Sequence, residues 1–131
     1  MKKTIAILSG TAALSSVVSA CAGIFYTDAG ARRTVENIYG QAVTLYGDGV
    51  YAENSLLKTG AAKGTDAVIL FVGLLLAVLL VHPGKKKARL FQTGLLAIIL
   101  YASVCLVMGV SFNRCFLLYV LQFGSSLFAF L

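Results

Sequence analysis

Four stretches without a single Lys, Arg, Asp or Glu constrain this chain more than any motif in it. They run from Thr4 to Tyr26, Ala67 to Val81, Leu90 to Phe112 and Cys115 to Leu131. A helix that crosses a bilayer needs about 20 apolar residues, with a working range of about 17–25. The third stretch meets that length with residues to spare. The second reaches it by including Thr65, Asp66 and His82, and the fourth sits at the lower limit. In lipid, only helices and closed barrels satisfy their own backbone. A barrel strand alternates polar and apolar residues, and neither Leu74–Leu76 nor Leu95–Leu100 alternates. The sequence therefore predicts an all-α integral membrane helical bundle, a single membrane domain over 1–131 with four transmembrane helices at about 4–26, 66–82, 90–112 and 115–131. Composition agrees. Hydrophobic residues make up 59% and charged residues 12%, against roughly 45–50% and 25% in soluble domains. A soluble chain of this size lacks the interior to hide that excess.

The charges then set an orientation. Lys2 and Lys3 precede the first stretch, and Lys85, Lys86, Lys87 and Arg89 crowd the loop 82–89 with no acid among them. All five acids, Asp28, Glu36, Asp48, Glu53 and Asp66, fall between the first and second stretches. Short loops rich in Lys and Arg stay in the cytoplasm. The expected topology has the N-terminus and the loop 82–89 in the cytoplasm, and 27–65 and the Asn113-Arg114 turn outside, in a bacterial inner membrane. The net charge of +6 is thus topological. With no basic stripe interleaved with aromatics, no nucleic-acid partner is expected. The partners implied are the lipid bilayer and either other membrane proteins or a second copy of the chain.

The first stretch reads in two ways. Lys2-Lys3 followed by an apolar run to Val18 has the form of a secretory signal peptide. Val18-Ser19-Ala20-Cys21 resembles a lipobox, in which the chain is cut before a cysteine that becomes lipidated. The same residues suit a retained helix, because Gly10, Ala13, Ser16, Ala20 and Gly23 let neighbouring helices approach closely. The first reading leaves three spans and a lipid on Cys21; the second leaves four spans.

No catalytic signature is present. The one His, and the lack of a nucleophile elbow, a phosphate loop or a zinc-helix motif, lead us to expect no enzyme, no cofactor and no metal. Gly64-Thr65-Asp66 reads as a helix start with Thr65 as cap and Asp66 in the first turn. Pro83-Gly84 reads as a helix stop, and Gly47-Asp48-Gly49 as a turn. That turn could gather an outer-face polar cluster of Tyr46, Asp48, Tyr51, Asn54, Asp66 and Asn113. The plainer alternative is a structured loop carrying interfacial tyrosines. Gln92 and Gln122 lie within spans, where such residues commonly hydrogen-bond between helices, and Gly73 with Ala77 marks a close helix contact.

Four short runs carry a resemblance. Leu45-Tyr46-Gly47-Asp48-Gly49-Val50-Tyr51, Asn54-Ser55-Leu56-Leu57, Lys63-Gly64-Thr65-Asp66-Ala67-Val68 and Phe112-Asn113-Arg114-Cys115-Phe116-Leu117-Leu118-Tyr119-Val120 resemble a bacterial family of uncharacterised multi-pass integral membrane proteins, over about residues 45–131. The resemblance implies a membrane helix bundle with no assigned activity. Members look longer, with further spans past the position of Leu131, which implies that this chain is a truncated or minimal version. Expected functions are an accessory membrane subunit acting through helix contacts, a small transporter or channel component with an outer-face polar site, or a lipoprotein processed at Cys21. Intact mass separates the two fates of the first stretch. A mass near 13.8 kDa retains the helix, and a mass lacking residues 1–20 with lipid added makes Cys21 an anchor.

Overall fold

The computed structural model describes residues 2–82 and 86–131. Helix α1 spans Lys2–Phe25. A segment outside the ring of helices, the outer segment, follows, holding strand β1 (Arg33–Glu36), strand β2 (Ala42–Leu45) and one 3-10 turn (Gly49–Tyr51). Helices α2 (Leu56–Val81), α3 (Lys86–Gly109) and α4 (Phe116–Phe130) complete the chain. The protein is all-α apart from the small hairpin. Helices α1, α2 and α3 are long and apolar enough to cross a membrane. Helix α4, at 15 residues, is about 22 Å long at 1.5 Å per residue, short of the roughly 30 Å hydrocarbon core.

Each helix packs on its neighbour in sequence, and α4 closes the ring against α1. Small residues make the α1 contacts possible. Ala13, Ser16 and Ala20 are buried along one face, and Gly73 of α2 lies directly on that face, so close that an added Cβ would stand 3.2 Å from Ser16 Cβ and from Val17 Cγ2. The serines on α1 cost little there. Ser15 and Ser16 return their hydroxyls to carbonyls of their own helix, at Thr11 and Ala12, which satisfies a donor without a partner helix. Two buried clusters fill the bundle, one around Leu76, Leu96 and Ile99 and one around Ile69, Leu106 and Tyr119. Phe71, Tyr101, Met108, Leu117 and Phe128 point away from the bundle and are exposed, giving it an apolar outer surface of the kind lipid covers.

The second helix corrects the expected start at Thr65-Asp66. Helix α2 begins ten residues earlier, where Ser55 adopts an extended backbone and its side chain accepts the Lys58 N–H. Leu56, Leu57, Ala61 and Ala62 are good helix formers, so the intervening Gly60 and Gly64 do not stop it. Thr65 is no cap: its hydroxyl donates to Ala61 O inside the helix. The outer segment therefore ends near 55, not 65. Of the loop 82–89, Lys86 to Arg89 form the first turn of α3, and His82 closes α2 by donating its N–H to Val78 O. The expected stop at Pro83-Gly84 lies outside the described residues.

In the hairpin, Arg33 pairs with Leu45 and Glu36 with Ala42. Asn37 shapes the loop, since its Oδ1 accepts the N–H groups of Tyr39 and Gln41. Replacing Gly73 by Val should drive α1 from α2 and destabilise the bundle by about 1–3 kcal/mol, the usual overpacking cost. Gly60→Ala, where nothing lies within 4 Å, should leave stability unchanged or raised. Unfolding in graded sodium dodecyl sulfate measures both, and equal stability for the two variants would remove the α1–α2 contact from the account.

Candidate functional site

Asp66 is the eleventh residue of α2 and is fully buried, with 0% of its surface exposed. Three elements converge on it. From the 3-10 turn, Tyr51 donates its hydroxyl to Asp66 Oδ2 at 2.6 Å. From α4, the Tyr119 hydroxyl stands 3.3 Å from that of Tyr51. Since Tyr51 has one proton and gives it to Asp66, Tyr119 is the donor of the second bond, and the three groups form a relay running Tyr119 to Tyr51 to Asp66. From α1, Gly23 faces the carboxylate, and a Cβ there would overlap Oδ2 and come within 2.9 Å of the Tyr51 hydroxyl. The glycine is the space the acid occupies. Burial, and after it the nearby Asp66 carboxylate, holds the Tyr51 phenol above the ordinary tyrosine range, so it remains a donor.

One oxygen stays unmatched. Asp66 Oδ1 has no hydrogen-bond partner among the described residues, and the same holds for the buried Gln122 Nε2, Asn54 Nδ2 and Thr59 Oγ1. Gln122 lies one turn below Tyr119 on α4, and its Oε1 accepts the Ser19 hydroxyl of α1 at 3.0 Å. Polar atoms buried without partners cost about 1–3 kcal/mol each.

The outer segment is held over this site by several ties. Asp28 Oδ1 accepts the Gly49 N–H at 2.9 Å, and Asp48 Oδ1 accepts the Asp28 N–H at 2.7 Å. The Gly49 N–H, ahead of the Asp48 side chain, holds the Asp28 carboxyl below its usual range. Gly47 and Gly49 take positive φ angles of 80° and 67°, a conformation that side chains resist and that lets the backbone pass close to Ala31 and Tyr26. Asn54 Oδ1 accepts the Ser111 N–H, Arg114 donates to the Tyr26 hydroxyl, and Arg33 pairs with Glu53 at the surface.

Of the six polar residues singled out in the sequence, the structure joins Tyr51 and Asp66 side chain to side chain. It ties Asn54 to Tyr46 and Tyr51 through the backbone, the Asn54 carbonyl accepting the Tyr46 N–H and the Asn54 N–H donating to Tyr51 O. Tyr46 accepts from Lys63 Nζ, Asp48 belongs to the Asp28 clasp, and Asn54 reaches the α3–α4 turn. Asn113 shapes that turn by accepting the Cys115 N–H. Sequence reasoning missed Tyr119 and Gly23. Tyr119, Gln122 and Ser126 lie on one face of an otherwise apolar helix, and that spacing was the available signal. Cys21 is half-buried inside the uninterrupted helix α1. Gln92 donates to Ser9 at 3.0 Å, joining α3 to α1. In comparisons with known families, with curated proteins and with solved structures, nothing matches this chain.

Tyr51→Phe should leave both oxygens of Asp66 without a partner and destabilise the fold by about 1–3 kcal/mol. Gly23→Ala should cost a similar amount by pushing α1 off the carboxylate, and Gly23→Ala combined with Asp66→Ala should recover most of it. Detergent unfolding of the four proteins reads the coupling, and additive losses would break the link between Gly23 and Asp66.

Proposed function

We propose that the chain is a small polytopic membrane protein that serves as a transporter or channel component, with Asp66 as the group that takes up and releases a proton near the outer face. The observation that carries this reading is the buried carboxyl at a membrane boundary with one oxygen unpartnered. An ionised acid in such a place is costly and, in membrane segments, marks an ion or proton path more often than a structural contact. A proton fits the donor set better than a divalent cation. The oxygens that meet are one carboxylate and two phenols, whereas calcium takes six to eight oxygen ligands. Among the described residues no three His, Cys, Asp or Glu side chains come together.

Tyr51 roofs the acid from the outer segment, so access from that side requires the turn at 47–51 to lift. Below it, Tyr119, Gln122 and Ser19 extend polar groups along the α1–α4 seam. In this reading α1 is retained, because its Gly23 completes the site, and α4 crosses with its neighbours. The basic end of the bundle faces the cytoplasm, the Asp66 end faces outward, and no enzymatic activity is assigned. Three of the four runs that carry the family resemblance meet at this one place, through Tyr51, Asp66 and Tyr119.

A second reading, the accessory subunit, draws on a groove of about 420 Å3 between α1 and α4, lined by Ile7, Gly10, Leu14 and Leu121 among others, where a partner helix would fit. Proton flux decides between them. The full chain in liposomes loaded with a pH-sensitive dye should dissipate an imposed pH gradient faster than empty liposomes, and Asp66→Asn should return the rate to the background. Flux from the Asp66→Asn protein equal to wild type, or no flux from either, leaves the accessory subunit as the reading.

A further inference from the structure

At the opposite end of the bundle from Asp66 lies a second concavity, of about 410 Å3, between the start of α1, the end of α2, the start of α3 and the end of α4. Its size falls in the range of small-molecule sites, about 300–1,000 Å3. Its lining is graded: Leu79, Leu96 and Ala129 form the apolar part, and Arg89, Gln92 and Thr93 the polar part. Gln92 is fixed by its bond to Ser9, and Thr93 turns its hydroxyl back to Arg89 O. The Arg89 side chain is exposed and pairs with no carboxylate among the described residues. Lys86 and Lys87, also exposed, begin the same helix.

Arg89 is the one charged side chain among the described residues that line this concavity, which Leu131 also borders. Asp28, Glu36, Asp48 and Glu53 belong to the outer segment, and Asp66 lies beside Gly23 near the far end of α1. An apolar cleft that opens beside an unpaired guanidinium fits an amphiphile with an apolar tail and an anionic head. Arginine offers a planar fork of donors that matches phosphate oxygens. We propose that this concavity is a binding site for an anionic phospholipid, with one acyl chain against Leu79 and Leu96 and the phosphate on Arg89. Basic pockets between membrane helices bind anionic head groups in this way. The site is separate from Asp66 and does not depend on proton uptake there.

Native mass spectrometry of the full chain, extracted in mild detergent and offered equal phosphatidylglycerol and phosphatidylcholine, tests the assignment. Wild type should retain phosphatidylglycerol about tenfold more than phosphatidylcholine, whose phosphate is the same but whose choline cation cancels the net charge of the head group beside Arg89. Arg89→Gln should abolish that preference, and Lys87→Gln, which changes the same net charge without lining the cleft, should keep it. Ala6→Phe, placed at the exposed rim of the concavity, should lower retention of both lipids. Equal retention of the two lipids by wild type would overturn the proposal. So would equal loss in Arg89→Gln and Lys87→Gln, which would assign the preference to a diffuse basic surface, or full retention by Ala6→Phe.

Discussion

The hydrogen bond from Tyr51 to Asp66 is the contact on which the arrangement of this protein turns. A carboxyl buried inside a helix bundle must be matched by a donor or move to water. Here the donor comes from outside the helix bundle, so the acid binds the outer segment to the membrane part of the molecule. The 3-10 turn must sit where Tyr51 reaches inward, and Gly47 and Gly49 must bend the chain to put it there. Tyr119 fixes the rotation of α4, because its hydroxyl completes the relay. Gly23 fixes the register of α1 against α2, because any side chain there would meet the carboxylate. Farther along the same pair of helices, Gly73 against Ser16 repeats that register with apolar contact alone.

Helix α1 has a place in this bundle that its sequence only half discloses. It looks like a leader segment because its apolar residues are small and its start is basic. Those same small residues let α2 and α4 lie close, and in lipid close approach is what holds helices together, since burial of apolar surface gives no advantage over contact with lipid tails. The serines on α1 work in the same way. They add little volume; Ser15 and Ser16 close their hydrogen bonds within the helix, while Ser19 reaches across to Gln122 and Ser9 accepts from Gln92.

The helices were legible because uncharged runs of this length have few other outcomes, and the turn at Gly47-Asp48-Gly49 was legible from its glycines. The start of α2 was not. Thr65-Asp66 has the chemistry of a cap, while the true cap, Ser55, precedes a stretch whose two glycines and two lysines look like a loop. Helix continuity there follows from the leucines and alanines between them and from Tyr51 packing over the buried side. Asp66 was visible as an acid at a boundary, but its partners were not. Tyr119 is about 50 positions away in an apolar helix, and nothing in Gly23 distinguishes a packing glycine from one that clears room for a carboxylate. Such pairings depend on which helices become neighbours, and the charge pattern alone does not determine that.

The shortness of α4 bears on the lipid as well as on the protein. Its neighbours α1 and α3, with 24 residues each, reach about 36 Å, so the bundle is lower at α4 than on either side of it. A bilayer meets a short apolar helix by thinning beside it. The flank that α4 presents would therefore draw the head groups of the two leaflets toward each other, bringing water nearer to the turn of α4 that carries Gln122 and Ser126 than its position in the sequence implies. The molecule would sit in the membrane as a wedge, its thin edge lying beside the helix that buries Gln122, Ser125 and Ser126.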